Sequence, residues 1–151
     1  MEQNLSREDI IATYRPDIMK LASFLPWLKS KTGQSVSHSY KGSDDSVSAM
    51  PFPVFDSQVF SLVKAIEQTH FLNRNYVYTY SNYRLKTVED ELALLPKLGT
   101  MDMKVLGDIL SKYVIKGQSK TALWSEAVNK GVFLAVILRM CELADLHQNN
   151  Q

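Results

Sequence analysis

The sequence has little of what metal and cofactor sites need. Cys141 is its only cysteine, which excludes an intrachain disulfide and a zinc-thiolate site and fits a reducing, cytoplasmic location. His38, His70 and His147 show no metal-ligand spacing, and the six glycines are scattered rather than gathered in a phosphate-binding loop. We therefore expect neither a metal nor a cofactor.

A charge excess and long apolar runs are also lacking. Lysine and arginine number 17 against 16 acids, so the net charge of +1 gives no general attraction to nucleic acid or to an anionic membrane. The longest apolar run, VFLAVIL at 132–138, is far shorter than the roughly 20 residues that span a bilayer. We expect no membrane association, one soluble globular domain over 1–146 and a disordered polar tail over 147–151.

Apolar residues recur at helical spacing along most of the chain, which predicts a mainly helical protein. A first helix should begin after Ser6 and stop before Pro16, because the residue preceding a proline disfavours helical angles. Thr87 and Asp90 form a near relative of the capping box at the start of another helix. Three helices should follow residue 100, and Gly117 stands where a C-cap glycine is common.

Two segments instead alternate in the way that strands do. SVSHSYKG, at 35–42, alternates the larger Val36, His38 and Tyr40 with serines, and NYVYTY, at 75–80, puts its tyrosines on one face if extended. Two strands alone are marginally stable and must pack on helices. The predicted fold class is mainly α (α+β): a single helical domain with a two-stranded antiparallel β element, from 35–40 and 75–80, packed on the helices.

Several stretches resemble an uncharacterised family of small bacterial proteins, a domain of unknown function. They are FPVFDSQVFSLVKAI, YTYSNYR and LLPKLGTMDMKVLGDILSKYV…AVNKGVFLAVILRMCEL, within about 51–143. The resemblance implies a bacterial or mobile-element origin but no known activity. Where the family has an Arg-x-Asp-Arg-Phe-like run and two Gly-His pairs, this chain has VIKGQSKTALW, and Val132 follows Gly131. A polar site built from those groups is therefore absent or replaced, which disfavours enzymatic activity.

Aromatic side chains in MPFPVF, at 50–55, and in the tyrosine segment suggest a protein-interaction module or adaptor. Prolines hold the first segment extended, either as a contact surface or as a strap over the core. The tyrosines either contact a partner or supply the packing face of the β element. The candidate partner-binding residues are Phe52, Phe55, Tyr76, Tyr78, Tyr80 and Tyr83.

The alternative hypothesis is a nucleic-acid or nucleotide binder in which tyrosine rings stack on bases beside basic residues. Its candidate residues are Arg74, Arg84, Lys86, Lys104, Lys112, Lys116 and Lys120. Asp108 lies between Lys104 and Lys112 at i,i+4 spacing, so ion pairing on a solvated helix face is the favoured explanation of these lysines. An enzyme whose catalytic groups converge from distant positions is a third hypothesis, and no residue is assigned to it.

Overall fold

The structure, a computed structural model, describes residues 7–32 and 57–144, together with the backbone of 37–39 and 53–55. Its eight described α-helices carry the fold. They are α1 (Arg7–Ala22), α2 (Leu25–Lys31), α3 (Ser57–Glu67), α4 (Tyr76–Asn82), α5 (Val88–Leu94), α6 (Met103–Gly117), α7 (Ala122–Asn129) and α8 (Val132–Leu143). Two 3₁₀ turns, Leu95–Lys97 and Thr100–Asp102, connect α5 to α6.

Helix α8 lies at the centre of the core. It packs against α1, α2, α5, α6 and α7, and its side chains from Val132 to Cys141 are mostly buried. Helix α6 supplies the other large share of the core, where the Tyr113 and Phe133 rings meet edge to face with centroids 6.0 Å apart. The prediction that the apolar run at 132–138 forms a buried helix is confirmed.

The predicted β element is wrong. Residues 76–80 form the start of helix α4, residue 75 is its N-cap, and 7–32 and 57–144 contain no strand. The backbone at Ser37–Ser39 (β1) instead pairs antiparallel with Pro53–Phe55 (β2), and Ser37 lies opposite Phe55. The fold class is thus helical, without the packed strand pair that the alternating pattern predicted.

The predicted break before Pro16 is also wrong, since α1 runs through this proline. An interior proline costs about 3 kcal/mol. Buried side chains on both sides of it outweigh that cost, at roughly 1.5–3 kcal/mol for each fully buried one. They are Ile10, Ile11, Ile18 and Leu21.

Two helix-end predictions have different outcomes. The capping box is confirmed: Thr87 Oγ1 accepts from the Asp90 backbone N–H at 3.1 Å, and Asp90 Oδ2 accepts from the Thr87 N–H at 3.1 Å. Gly117, however, is the last helical residue of α6 rather than a cap beyond it. Its lack of a side chain serves close packing, because a Cβ there would overlap the indole ring of Trp124.

Candidate interaction surface on helix α4

The tyrosine segment forms a helix whose two sides differ. A helix turns about 100° per residue, so Tyr76 and Tyr80 share a face and Tyr78 lies opposite them. The Tyr76 and Tyr80 rings contact edge to face at 6.1 Å. The β-branched and aromatic composition favours a strand only weakly. It is overridden here by hydrogen bonds that the inner side makes to α5 and α6.

The first of these anchors is Asp108 on α6, which is 1% exposed. Its carboxylate accepts hydrogen bonds from Thr79 Oγ1 at 2.5 Å and from Asn73 Nδ2 at 2.8 Å. Lys104 Nζ lies 3.8 Å away at the surface. A buried carboxylate needs such donors, so Asp108 fixes both α4 and the loop before it against α6.

The second anchor is Glu91 on α5, which is also 1% exposed. Its carboxylate accepts from the Tyr80 hydroxyl at 2.6 Å, the Tyr113 hydroxyl at 2.5 Å and Lys112 Nζ at 3.1 Å. Burial and the Glu91 charge raise the pKa of the Tyr80 hydroxyl; burial and its hydrogen bond to Glu91 raise that of Tyr113. Both tyrosines therefore remain protonated donors, and Glu91 ties α4, α5 and α6 together.

The side of α4 away from these anchors is exposed, and we call Val77, Tyr78 and Ser81 its outer face. Tyr78 is 68% exposed and Val77 is 53% exposed. Tyr83, at the C-terminal end of the helix, is 41% exposed. The large aromatic ring of Tyr78 and the branched side chain of Val77 are thus both exposed to solvent. The opposite side of the same helix is hydrogen-bonded to Glu91 and Asp108.

Helix α4 ends in a left-handed turn at Arg84, whose φ is 56°. The Leu85 N–H reaches the Tyr80 carbonyl at 2.9 Å and the Arg84 N–H reaches the Ser81 carbonyl at 3.2 Å. This is the Schellman pattern, in which glycine usually occupies the left-handed position. Arg84 is exposed, so an arginine is held in a strained conformation at the edge of the candidate surface.

A cavity of about 340 Å³ lies beside the loop that precedes α4. Leu72, Val114 and Ile115 give it apolar walls, and Glu67, Arg74 and Gln118 give it polar ones. The loop approaches α6 closely at Gly107, where a Cβ would lie 2.7 Å from Phe71 Cδ1 and 3.0 Å from the Phe71 carbonyl oxygen. Gly107 therefore allows the loop to lie on α6 and bring Arg74 to this cavity.

The predicted partner-binding residues do not all share one surface. Tyr78 and Tyr83 are exposed, whereas Tyr76 is buried and Tyr80 is half-buried and donates to Glu91. The side chains of Phe52 and Phe55, and the rest of MPFPVF as a candidate contact surface, lie outside what the structure describes.

The predicted basic residues divide as well. Arg74, Arg84, Lys86, Lys116 and Lys120 are exposed. Lys112 is 19% exposed and paired with Glu91, and its Nζ lies 4.4 Å from the Tyr113 ring centroid. Lys104 is exposed beside Asp108. The prediction that Lys104, Asp108 and Lys112 form a solvated helix face is wrong for Asp108, which is buried.

Sequence reasoning missed the roles of Glu91 and Asp108. Glu91 stood among three acids at a helix start, and Asp108 fitted an i,i+4 charge pattern. One available signal was that Asp108 is directly flanked by Gly107 and by the apolar pair Ile109 and Leu110, which are all buried. The cavity had no sequence signal, since its walls come from α3, the loop and α6.

Among residues 7–32 and 57–144, no group of three or more His, Cys, Asp or Glu side chains is arranged to hold a metal. Cys141 is buried in α8, and burial raises the pKa of its thiol, which makes it a weak nucleophile. None of the helices in the described part of the chain has the length and apolarity that crossing a membrane requires.

Comparison with known proteins gives no family. No protein-family model matches the chain, and no curated protein and no solved structure matches it significantly. The resemblance to the uncharacterised bacterial family stays a prediction.

Proposed function

We propose that this protein is a non-enzymatic interaction module that binds another protein through the outer face of α4. The observation that carries the proposal is the contrast between the two sides of one short helix. Tyr80 and Thr79 are hydrogen-bonded to buried carboxylates, whereas Tyr78 and Val77 extend into solvent. Tyrosine is enriched at protein interfaces because it offers a large contact area at a small entropic cost.

The anchors matter because ordering a surface on binding costs free energy. Helix α4 has only seven residues, and isolated helices of that length are unstable in water. Glu91 and Asp108 supply the order before any partner arrives, so the outer face is preorganised. We place the protein in the cytoplasm of a bacterium, as its single cysteine and the family resemblance suggest.

The nucleic-acid hypothesis has less support. Two of its seven basic residues are already next to a carboxylate: Lys112 forms an ion pair with Glu91, and Lys104 lies beside Asp108. Tyr76 and Tyr80, two of the rings proposed to stack on bases, are turned toward the protein. Arg74, Arg84 and Lys86 remain exposed on either side of α4 in the sequence, and a protein partner with acidic groups accounts for them equally well.

The test is site-specific photo-crosslinking in cells that express the full chain. A photoreactive amino acid at position 77 should capture one discrete partner, and Tyr78→Asp should abolish that product. The matched control places the same group at Ala93, an exposed residue on α5. Equal products from both positions, or a product at 77 that survives Tyr78→Asp, would overturn the proposal.

A further inference from the structure

The cavity beside α4 has the features of a pocket for one anchoring side chain. At about 340 Å³ it lies at the small end of the roughly 300–1,000 Å³ range of ligand pockets. Leu72, Val114 and Ile115 offer it an apolar lining. A space of this size and chemistry suits an apolar or aromatic side chain of a peptide.

Arg74 borders the same cavity from a fixed piece of backbone. Its neighbour Asn73 donates its N–H to Ser111 Oγ at 2.9 Å and its side-chain amide to Asp108 at 2.8 Å. The Asn75 N–H in turn donates to Asn73 Oδ1 at 3.0 Å. The backbone on either side of Arg74 is therefore held before binding, which reduces the entropic cost of using this arginine.

The Arg74 side chain is exposed and makes no hydrogen bond or ion pair within 7–32 and 57–144. The chain has no aspartate or glutamate from 68 to 88, a stretch that also contains Arg84 and Lys86. The acid at the cavity is Glu67, and its carboxylate accepts from Gln118 Nε2 at 2.8 Å. The guanidinium thus offers a bidentate site for a carboxylate of another molecule.

We propose that the cavity receives an apolar side chain of an acidic protein segment, and that a neighbouring carboxylate of this segment pairs with Arg74. The inference rests on the proposed function and specifies its partner. Val77 and Tyr78 follow Arg74 by three and four residues along the chain, and in this proposal the segment continues from the cavity over them. Arg84 and Lys86 favour further acidic residues along it by long-range attraction.

The experiment selects a phage-displayed library of random peptides on the full chain. The expected consensus contains an apolar residue next to an aspartate or glutamate. A synthetic consensus peptide should bind roughly tenfold more weakly to Arg74→Gln than to the unaltered protein, as expected for the loss of one charge-assisted pair. Lys29→Gln, an exposed charge removal on α2, is the control and should leave affinity unchanged.

A second arm replaces the acidic residue of the peptide by its amide. If Arg74 pairs with that carboxylate, the amide peptide should bind the unaltered protein about tenfold more weakly and bind Arg74→Gln with little further loss. Additive losses would overturn the pairing. The inference would be overturned by a selected consensus that lacks acidic residues, or by a consensus peptide that binds Arg74→Gln as tightly as the unaltered protein. If peptide binding in either case still requires Tyr78, the proposed function remains intact.

Other occupants of the surface would give distinct results. Tight binding of a poly-dT oligonucleotide that weakens steeply with salt and requires Arg74 would show that the arginine recognises phosphate, and would overturn the inference. A dimer of the chain in sedimentation that dissociates on Arg74→Gln would overturn it by assigning the surface to a second copy. Failure to select any peptide that depends on Tyr78 would refute the proposed function itself.

Discussion

The Glu91 carboxylate joins α4, α5 and α6 through its hydrogen bonds, so replacing this residue is the most informative perturbation of stability. Glu91→Gln conserves volume but removes the charge that Lys112 pairs with at 3.1 Å. It also weakens acceptance from two tyrosine hydroxyls at 2.6 and 2.5 Å. Removing one partner of a buried ion pair costs about 3–5 kcal/mol. Because Lys112 is 19% exposed and can reach water, we expect the free energy of unfolding to fall by about 2–4 kcal/mol.

The assay is urea denaturation followed by far-ultraviolet circular dichroism. A matched control is Glu89→Gln on the same helix, whose exposed side chain should change stability by less than about 0.5 kcal/mol. Adding Lys112→Met to Glu91→Gln should recover part of the loss, because the ammonium is no longer left without its acid. A Glu91→Gln protein as stable as the Glu89→Gln control would refute the claim that this carboxylate holds α4.

Three further perturbations follow from the same structure. Arg84→Gly should raise the free energy of unfolding by roughly 1 kcal/mol, because glycine adopts the left-handed conformation at φ 56° without strain. Arg84→Ala should give no such gain. Equal urea midpoints for the two variants would contradict this prediction. Gly117→Ala should lower the free energy of unfolding by ~2 kcal/mol or more, because the new methyl group would displace the Trp124 indole. The displaced indole would lose its 3.0 Å hydrogen bond to the Tyr113 carbonyl. An unchanged tryptophan emission spectrum and melting temperature would contradict this prediction. Hydrogen bonds from the Lys86 and Thr87 N–H groups lower the pKa of Asp90 below 3.8, so its stabilising effect is present above that pH and lost as pH falls through the lowered value. Asp90→Asn should thus be less stable than the unaltered protein at pH 6, and the difference in melting temperature should shrink as pH falls below 3.8. A difference that stays constant as pH falls would refute the assignment.

Local sequence patterns were informative where the relevant contacts are themselves local. The capping box at Thr87 and Asp90 joins residues three apart, and the burial of α8 follows from its continuous apolar character. Both could be predicted without knowledge of the fold. Pro16 shows the opposite case, because the side chains that keep α1 continuous gain their burial only from other helices.

The candidate surface was only partly predictable for the same reason. The alternating tyrosines pointed to an extended segment, because the hydrogen bonds that make 76–82 helical come from Glu91 and Asp108, 11 and 29 residues further along the chain. The four tyrosines of the segment were treated alike, and only the helix separates the exposed Tyr78 and Tyr83 from Tyr76 and Tyr80. The position of Arg74 beside a partly apolar cavity depends on lining residues up to 44 positions away in the sequence, at Gln118.

Residue-resolved tyrosine modification tests the central claim most directly, because it uses the unaltered protein. Among the tyrosines of 76–113, mild iodination followed by peptide mass spectrometry should modify Tyr78 first and Tyr83 next, while Tyr76, Tyr80 and Tyr113 react slowly. Adding the selected acidic peptide should protect Tyr78. Equal reactivity of Tyr76, Tyr78 and Tyr80, as an extended segment would give, or a Tyr78 that the bound peptide leaves fully reactive, would contradict the account.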